Sequence, residues 1–166
     1  MPSTRKKVVV RKWTGELARG YLPAEDFLAS EEGELPGLGL LGLDGNVTFV
    51  RVDAVKWISF VRDFPSREEP ERLLQKAFRR RPRNPGLWVR VQLKDADSLE
   101  GLARNDLSLL DPGGFLLIPP DTRSNIQRIF VPRQAITQLE ILAVVRMTVP
   151  RNESRALQEN LFDGGA

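Results

Sequence analysis

Val8-Val9-Val10-Arg11-Lys12-Trp13 followed by Thr14-Gly15-Glu16 and Leu17 to Leu22 decides the fold, because the same pattern returns 81 positions later. Val8 falls on Val89, Val10 on Val91, Gly20 on Gly101, Phe49 on Phe130, Val50 on Val131 and Ala54 on Ala135. Val55, Ile58 and Phe60 fall on Ile136, Leu139 and Ile141. No gap is needed, and two glycines, two phenylalanines and two alanines coincide in the order of the strand pattern, so we read a tandem duplication.

Within a unit the alternation of Val8, Val10 and Lys12 with Val9, Arg11 and Trp13 predicts a strand, and Thr14-Gly15-Glu16 turns it into a hairpin. Gly20 and Gly101 lie inside the second strand, where a missing side chain permits the sharp bend that a small closed sheet requires. Leu38 to Leu43, Asp44-Gly45 and Asn46 to Val52 form another hairpin, since Asp-Gly suits positive φ. Its counterpart is Phe115 to Ile118, the loop Pro119 to Asn125, and Ile126 to Val131. Asp53-Ala54-Val55 and Arg133-Gln134-Ala135 predict single helical turns before the last strands, Trp57 to Val61 and Leu139 to Val145.

The expected fold is mainly β: two tandem SH3/Sm-like small β-barrels, residues 1–61 and 87–148, joined by a connector over 62–86 and followed by a flexible tail, 149–166. Each unit is near the lower size limit for independent folding, so the two are expected to pack together. In the connector, Ser66 with Glu69 is a capping-box pattern and Pro70 fits a first turn. An amphipathic helix over about 67–80 is expected, with Leu73, Leu74, Ala77 and Phe78 on one face. Trp57 and Trp88 lie in strand patterns, which favours core positions for them and for Trp13.

The 166 residues include no cysteine and no histidine, which removes disulfides, thiolate nucleophiles, imidazole bases and the usual zinc sites. GxSxG and P-loop patterns are absent from the sequence, and Gly37-Leu38-Gly39-Leu40-Leu41-Gly42, although spaced as GxGxxG, precedes a strand-like segment instead of a helix, so we expect no enzyme, no cofactor and no metal. Val8-Val9-Val10 is too short for a signal peptide core and no long apolar run exists, giving an expectation of a cytoplasmic protein without a membrane span. Open barrel edges leave oligomeric state undetermined while inviting homotypic strand pairing.

With a formal charge of +3, basic residues gather in two stretches: Arg5, Lys6, Lys7, Arg11, Lys12 and Arg19, and residues 67–83, which carry Arg79, Arg80, Arg81 and Arg83. On a shared face they would attract nucleic-acid phosphates; as a solvated surface they are balanced by Glu25, Asp26, Glu31, Glu32 and Glu34.

Val89-Arg90-Val91-Gln92-Leu93-Lys94-Asp95, Leu99-Glu100-Gly101-Leu102 and Asn105-Asp106-Leu107 resemble the first signature of the Sm-like family of RNA-binding barrels. The Arg-Gly step of that family's second signature is absent from Asn46–Val52 and Ile126–Val131, so the resemblance implies the barrel and not the RNA pocket. Arg79 and Arg83 as RxxxR before a strand, with Asp106-Leu107-Ser108, are similar to the PilZ family, which implies cyclic di-GMP as ligand at Arg79, Arg83, Asp106 and Ser108; the closing glycine of the second motif is replaced by Asp111. Gln158-Glu159-Asn160-Leu161-Phe162 resembles the peptide that docks into bacterial sliding clamps, which implies Gln158, Leu161 and Phe162 as contacts to a protein partner. The duplicated pattern as a whole resembles an uncharacterised bacterial family, whose membership brings no activity. The leading expectation is a non-catalytic binding or adaptor protein; the alternatives are a degenerate cyclic-dinucleotide receptor and a nucleic-acid or clamp-associated protein.

Overall fold

Alternating apolar residues form the strands. In the computed structural model, which describes residues 5–24, 26–29, 36–65, 75–121 and 123–147, Val8 and Val10 are fully buried, as are Val89 and Val91 at the matching places. Eleven strands are described: β1 (Arg5–Lys12), β2 (Leu17–Pro23), β3 (Leu28–Ala29), β4 (Gly37–Leu41), β5 (Val47–Arg51), β6 (Val55–Val61), β7 (Gly86–Leu93), β8 (Ser98–Ala103), β9 (Gly114–Leu117), β10 (Ile126–Pro132) and β11 (Ile136–Val145). They make two antiparallel sheets. One runs β3-β4-β2-β1-β6-β10-β9 with β5 on β4, and the other runs β11-β7-β8. A bridge between Leu102 and Ile118 ties β8 to β9.

Pairing repeats with the sequence. Val8 faces Gly20 on β2 and Phe60 on β6; Val89 faces Gly101 on β8 and Ile141 on β11. Gly37–Arg51 and Leu38–Val50 have their counterparts in Gly114–Pro132 and Phe115–Val131. Short 3-10 turns at Val52–Ala54 and Arg133–Ala135 precede β6 and β11, and both halves have the same turn-to-strand bond, Trp13 N–H to Ala54 O and Lys94 N–H to Ala135 O, each 3.1 Å. The bent second strand follows from close approach: a Cβ on Gly20 would lie 2.5 Å from the Leu41 carbonyl oxygen, and one on Gly101 would lie 3.0 Å from that of Ile118.

The halves meet where β10 pairs with β6, Arg128 opposite Phe60, Ile129 opposite Ser59 and Phe130 opposite Ile58. Side chains cross this joint in both directions. Phe130 joins the core built on Val8, Val10, Leu22 and Ile58, while Trp57 joins the core built on Val89, Val91, Leu99 and Phe115. Trp57 is therefore a core residue; Trp13 packs against the same cluster, and half-buried Trp88 meets the edge of the Phe78 ring at 5.9 Å.

The connector departs from its expected form. Residues 66–74, including Leu73 and Leu74, lie outside the described residues, and 75–80 are not helical. Their backbone groups turn to β8 instead: Glu100 N–H donates to Lys76 O at 2.7 Å, and Phe78 N–H donates to the Glu100 carboxylate at 2.9 Å. A helix here would withdraw those groups from Glu100, which is buried and needs them. The short strand β3 is a further addition to the expected strand set. Among the described residues no helix is long and apolar enough to cross a membrane.

Candidate anion-binding groove

Glu100 fixes the chain that precedes the arginines. Besides accepting from Phe78, its carboxylate lies 3.3 Å from Arg90, while Lys76 reaches Asp97 at 2.7 Å. Beyond this anchor Pro82 is buried and Arg79, Arg80, Arg81 and Arg83 are exposed around it. The four arginines form one wall of a groove of about 780 Å³; Leu102 and the β9–β10 loop, with Ile118, Pro119, Pro120, Asp121 and Arg123, form the other. Proline at two adjacent positions stiffens that wall. Among the described residues Asp121 is the one carboxylate lining the groove, and it accepts the Arg123 N–H of its own loop at 3.0 Å. No described carboxylate forms an ion pair with Arg79, Arg80, Arg81, Arg83 or Arg123. Arg81 and Arg83 also border a second opening with Val144, Arg146 and Met147 at the end of β11.

Guanidinium groups remain charged at any physiological pH and present paired N–H donors that match two phosphate oxygens. Five of them line one groove and present the kind of donors that phosphate oxygens accept from.

Of the residues singled out from the sequence, Arg79, Arg80, Arg81 and Arg83 come together here, but Asp106 and Ser108 do not line this groove. Asp106 caps the 3-10 turn Leu107–Leu110, accepting from the Ser108 hydroxyl and from its N–H at 2.9 Å, with Arg104 at 3.0 Å. The Ser108 side-chain and backbone bonds hold its carboxyl below the usual range, helped by Arg104. Arg5, Lys6 and Lys7 belong to another region: Lys7 pairs with Asp63 at 3.3 Å, and Lys6 and Lys7 line a separate opening of about 380 Å³ with Arg128. The two basic stretches therefore do not build one pocket. Gln158, Leu161 and Phe162 lie outside the described residues.

A second cluster is one that sequence reasoning missed. Lys56 on β6 lies with its side chain only 8% exposed, its Nζ 2.5 Å from Asp95 and 2.9 Å from Asp97 on the β7–β8 turn, and 4.8 Å from the Trp57 ring centre. Burial pushes the Asp97 carboxyl up, but hydrogen bonds from Lys76 and Lys56 outweigh it and hold the group at about 2. With two carboxylates beside its ammonium, Lys56 is a lock between the halves. The readable sign is a lysine inside the apolar run Val55-Lys56-Trp57-Ile58, which needs a partner from elsewhere. Arg123 and the two prolines carry no comparable signal, because only folding brings their loop to the arginines.

Residues 4–143 match the model of a family described as a family of unknown function (DUF6982). No curated protein and no solved structure matches the chain.

Proposed function

We propose that this chain, which belongs to the DUF6982 family, is a non-catalytic binding protein: two SH3/Sm-like small barrels in tandem whose arginine groove takes the phosphodiester backbone of a nucleic acid. The observation that carries the reading is the set of Arg79, Arg80, Arg81, Arg83 and Arg123 around one groove without a described carboxylate paired to any of them. Guanidinium groups that no described carboxylate holds give up no described ion pair when a phosphate arrives. The histidine- and cysteine-free composition supports a binding role over chemistry.

One observation favours a cyclic dinucleotide instead, since Arg79 and Arg83 do face one groove. Against it, Asp106 and Ser108 are committed to each other away from that groove.

Fluorescence anisotropy with a labelled single-stranded RNA of mixed sequence, repeated over a salt series, tests the proposal. The expected result is binding that weakens steeply with salt, by a log–log slope of about 0.7 per phosphate neutralised, with a smaller slope in Arg79→Ala/Arg83→Ala. Absence of binding at about 100 μM, weaker than roughly 5 to 6 kcal/mol of binding free energy, overturns it. Calorimetric binding of cyclic di-GMP without RNA binding would replace the nucleic acid by the dinucleotide.

A further inference from the structure

The joint inside the chain uses one edge from each half, and among the described residues the equivalent edge of each half has no partner strand. At the joint, the last strand of the first half, β6, pairs with the fourth strand of the second half, β10. The repeat equivalent of β6 is β11, whose one described partner is β7, and the equivalent of β10 is β5, whose one described partner is β4. We infer that β11 of one copy pairs with β5 of another, repeating the internal joint between chains and assembling this protein head to tail.

Matched positions carry the argument. Phe60 and Phe130, on facing strands of the internal joint, are 7% and 6% exposed. Their equivalents Ile141 and Phe49 are 54% and 56% exposed, although both keep large apolar side chains. Val47, in the place of Arg128, is 65% exposed. Transferring the register of the joint puts Val47 opposite Ile141, Thr48 opposite Glu140 and Phe49 opposite Leu139 of the next chain. Apolar residues opposed across an antiparallel pair stabilise it, and edge strands bearing them are templates for pairing.

Two further features fit a second copy in this orientation. At the internal joint Phe27 covers Phe130 at 4.9 Å and Phe60 at 5.8 Å. The corresponding segment of the second half, around Ser108, carries Leu107 and Leu110, both exposed. Charge distinguishes the partner edge as well. Pairing β11 with another β11 about Glu140 would set that carboxylate against itself, whereas β5 brings the uncharged Val47-Thr48-Phe49. An interface between unlike edges propagates, closing into a ring only if its rotation divides a full turn.

The test uses the full chain and two exposed-site variants, Val47→Lys and Ile141→Lys, with circular dichroism melts to show that each folds. By light scattering and native mass spectrometry between about 1 and 100 μM, the wild type should form oligomers that grow with concentration. Each variant alone should be monomeric, and an equal mixture should give a one-to-one heterodimer and nothing larger, since each retains one intact edge. The chain has no native cysteine, so Val47→Cys/Ile141→Cys should form chain-to-chain disulfides under mild oxidation. A wild type monomeric throughout, a variant that still self-associates, or a mixture that stays monomeric would each overturn the inference.

Discussion

Asp97→Asn should cost about 2 kcal/mol of stability at pH 7, at about 1.4 kcal/mol per unit of pKa displacement, and progressively less in acid. Its carboxyl titrates at about 2 in the folded protein against an ordinary 3.8, and its side chain is 23% exposed, so solvent screens the interaction only in part. Because the folded-state value is depressed, the stabilisation is fully present above the unfolded value near 4 and is lost as pH falls through about 2, roughly half remaining at pH 3. The asparagine variant lacks that titration and leaves Lys56 with Asp95 as its carboxylate partner. Burial pushes the Asp95 carboxyl up, but the Lys56 hydrogen bond, the Asp97 N–H and the Lys56 charge together outweigh it and hold the group low, so the variant keeps a smaller acid sensitivity. Urea denaturation followed by tryptophan fluorescence, to which Trp57 against Lys56 contributes, measures the difference. A gap as large at pH 3 as at pH 7, or one below about 0.5 kcal/mol at pH 7, would show that the lock does not act through this carboxylate.

Ala96 holds φ +67° where the first half has Gly15 at +87°; Ala96→Gly should raise stability by about 1 kcal/mol in urea melts, since an L side chain is penalised there. Gly20→Ala should destabilise by roughly 2 kcal/mol or more, because its Cβ would meet the Leu41 carbonyl at 2.5 Å; Gly39→Ala, with ordinary contact at 3.6 Å, should be tolerated far better in the same thermal melts. Asp106→Ala should lower the melting temperature through the lost cap while leaving RNA affinity unchanged in the anisotropy assay, whereas Arg79→Ala should do the reverse.

The hairpins and the 3-10 turns at Val52–Ala54 and Arg133–Ala135 are legible in local sequence pattern alone, whereas the turn Leu107–Leu110 is not. Thr14-Gly15-Glu16 and Asp44-Gly45 encode their own turns, and the apolar alternation of Val8 and Val10 encodes the buried face. What local pattern does not encode is which edges meet. Nothing near Ser59 or Ile129 in sequence indicates that they face one another across the halves. The connector shows the same limit in another way: helical spacing around Ala77 and Phe78 competes with Glu100, seated in β8, and for residues 75–80 the distant carboxylate wins. The arginines are legible as charge, but the opposite wall of their groove comes from Pro119 to Arg123 and depends on the bridge between Leu102 and Ile118. Asp106 and Ser108 have the composition of a ligand motif, yet a short acceptor beside a hydroxyl and a free N–H caps a turn equally well.

The two halves stay alike where their surroundings are alike and differ where these differ. Val8 and Val89, or Ala54 and Ala135, occupy equivalent interiors and keep their type. Lys56 and Thr137 occupy equivalent places on β6 and β11, but only Lys56 meets a pair of carboxylates, since Asp95 and Asp97 belong to the turn that the second half brings to the joint. Thr137 instead donates to the Gln92 carbonyl on its own sheet. Ser59, buried under β10, corresponds to Glu140, which pairs with Arg90 at 3.2 Å. The internal joint thus combines strand pairing, exchanged aromatic residues and an ionic lock within one chain, where closure costs little entropy. A joint between chains has the strand pairing and the apolar residues without the lock, and it must also offset the entropy of association. Its occupancy should therefore follow protein concentration, while the internal joint persists in the monomer.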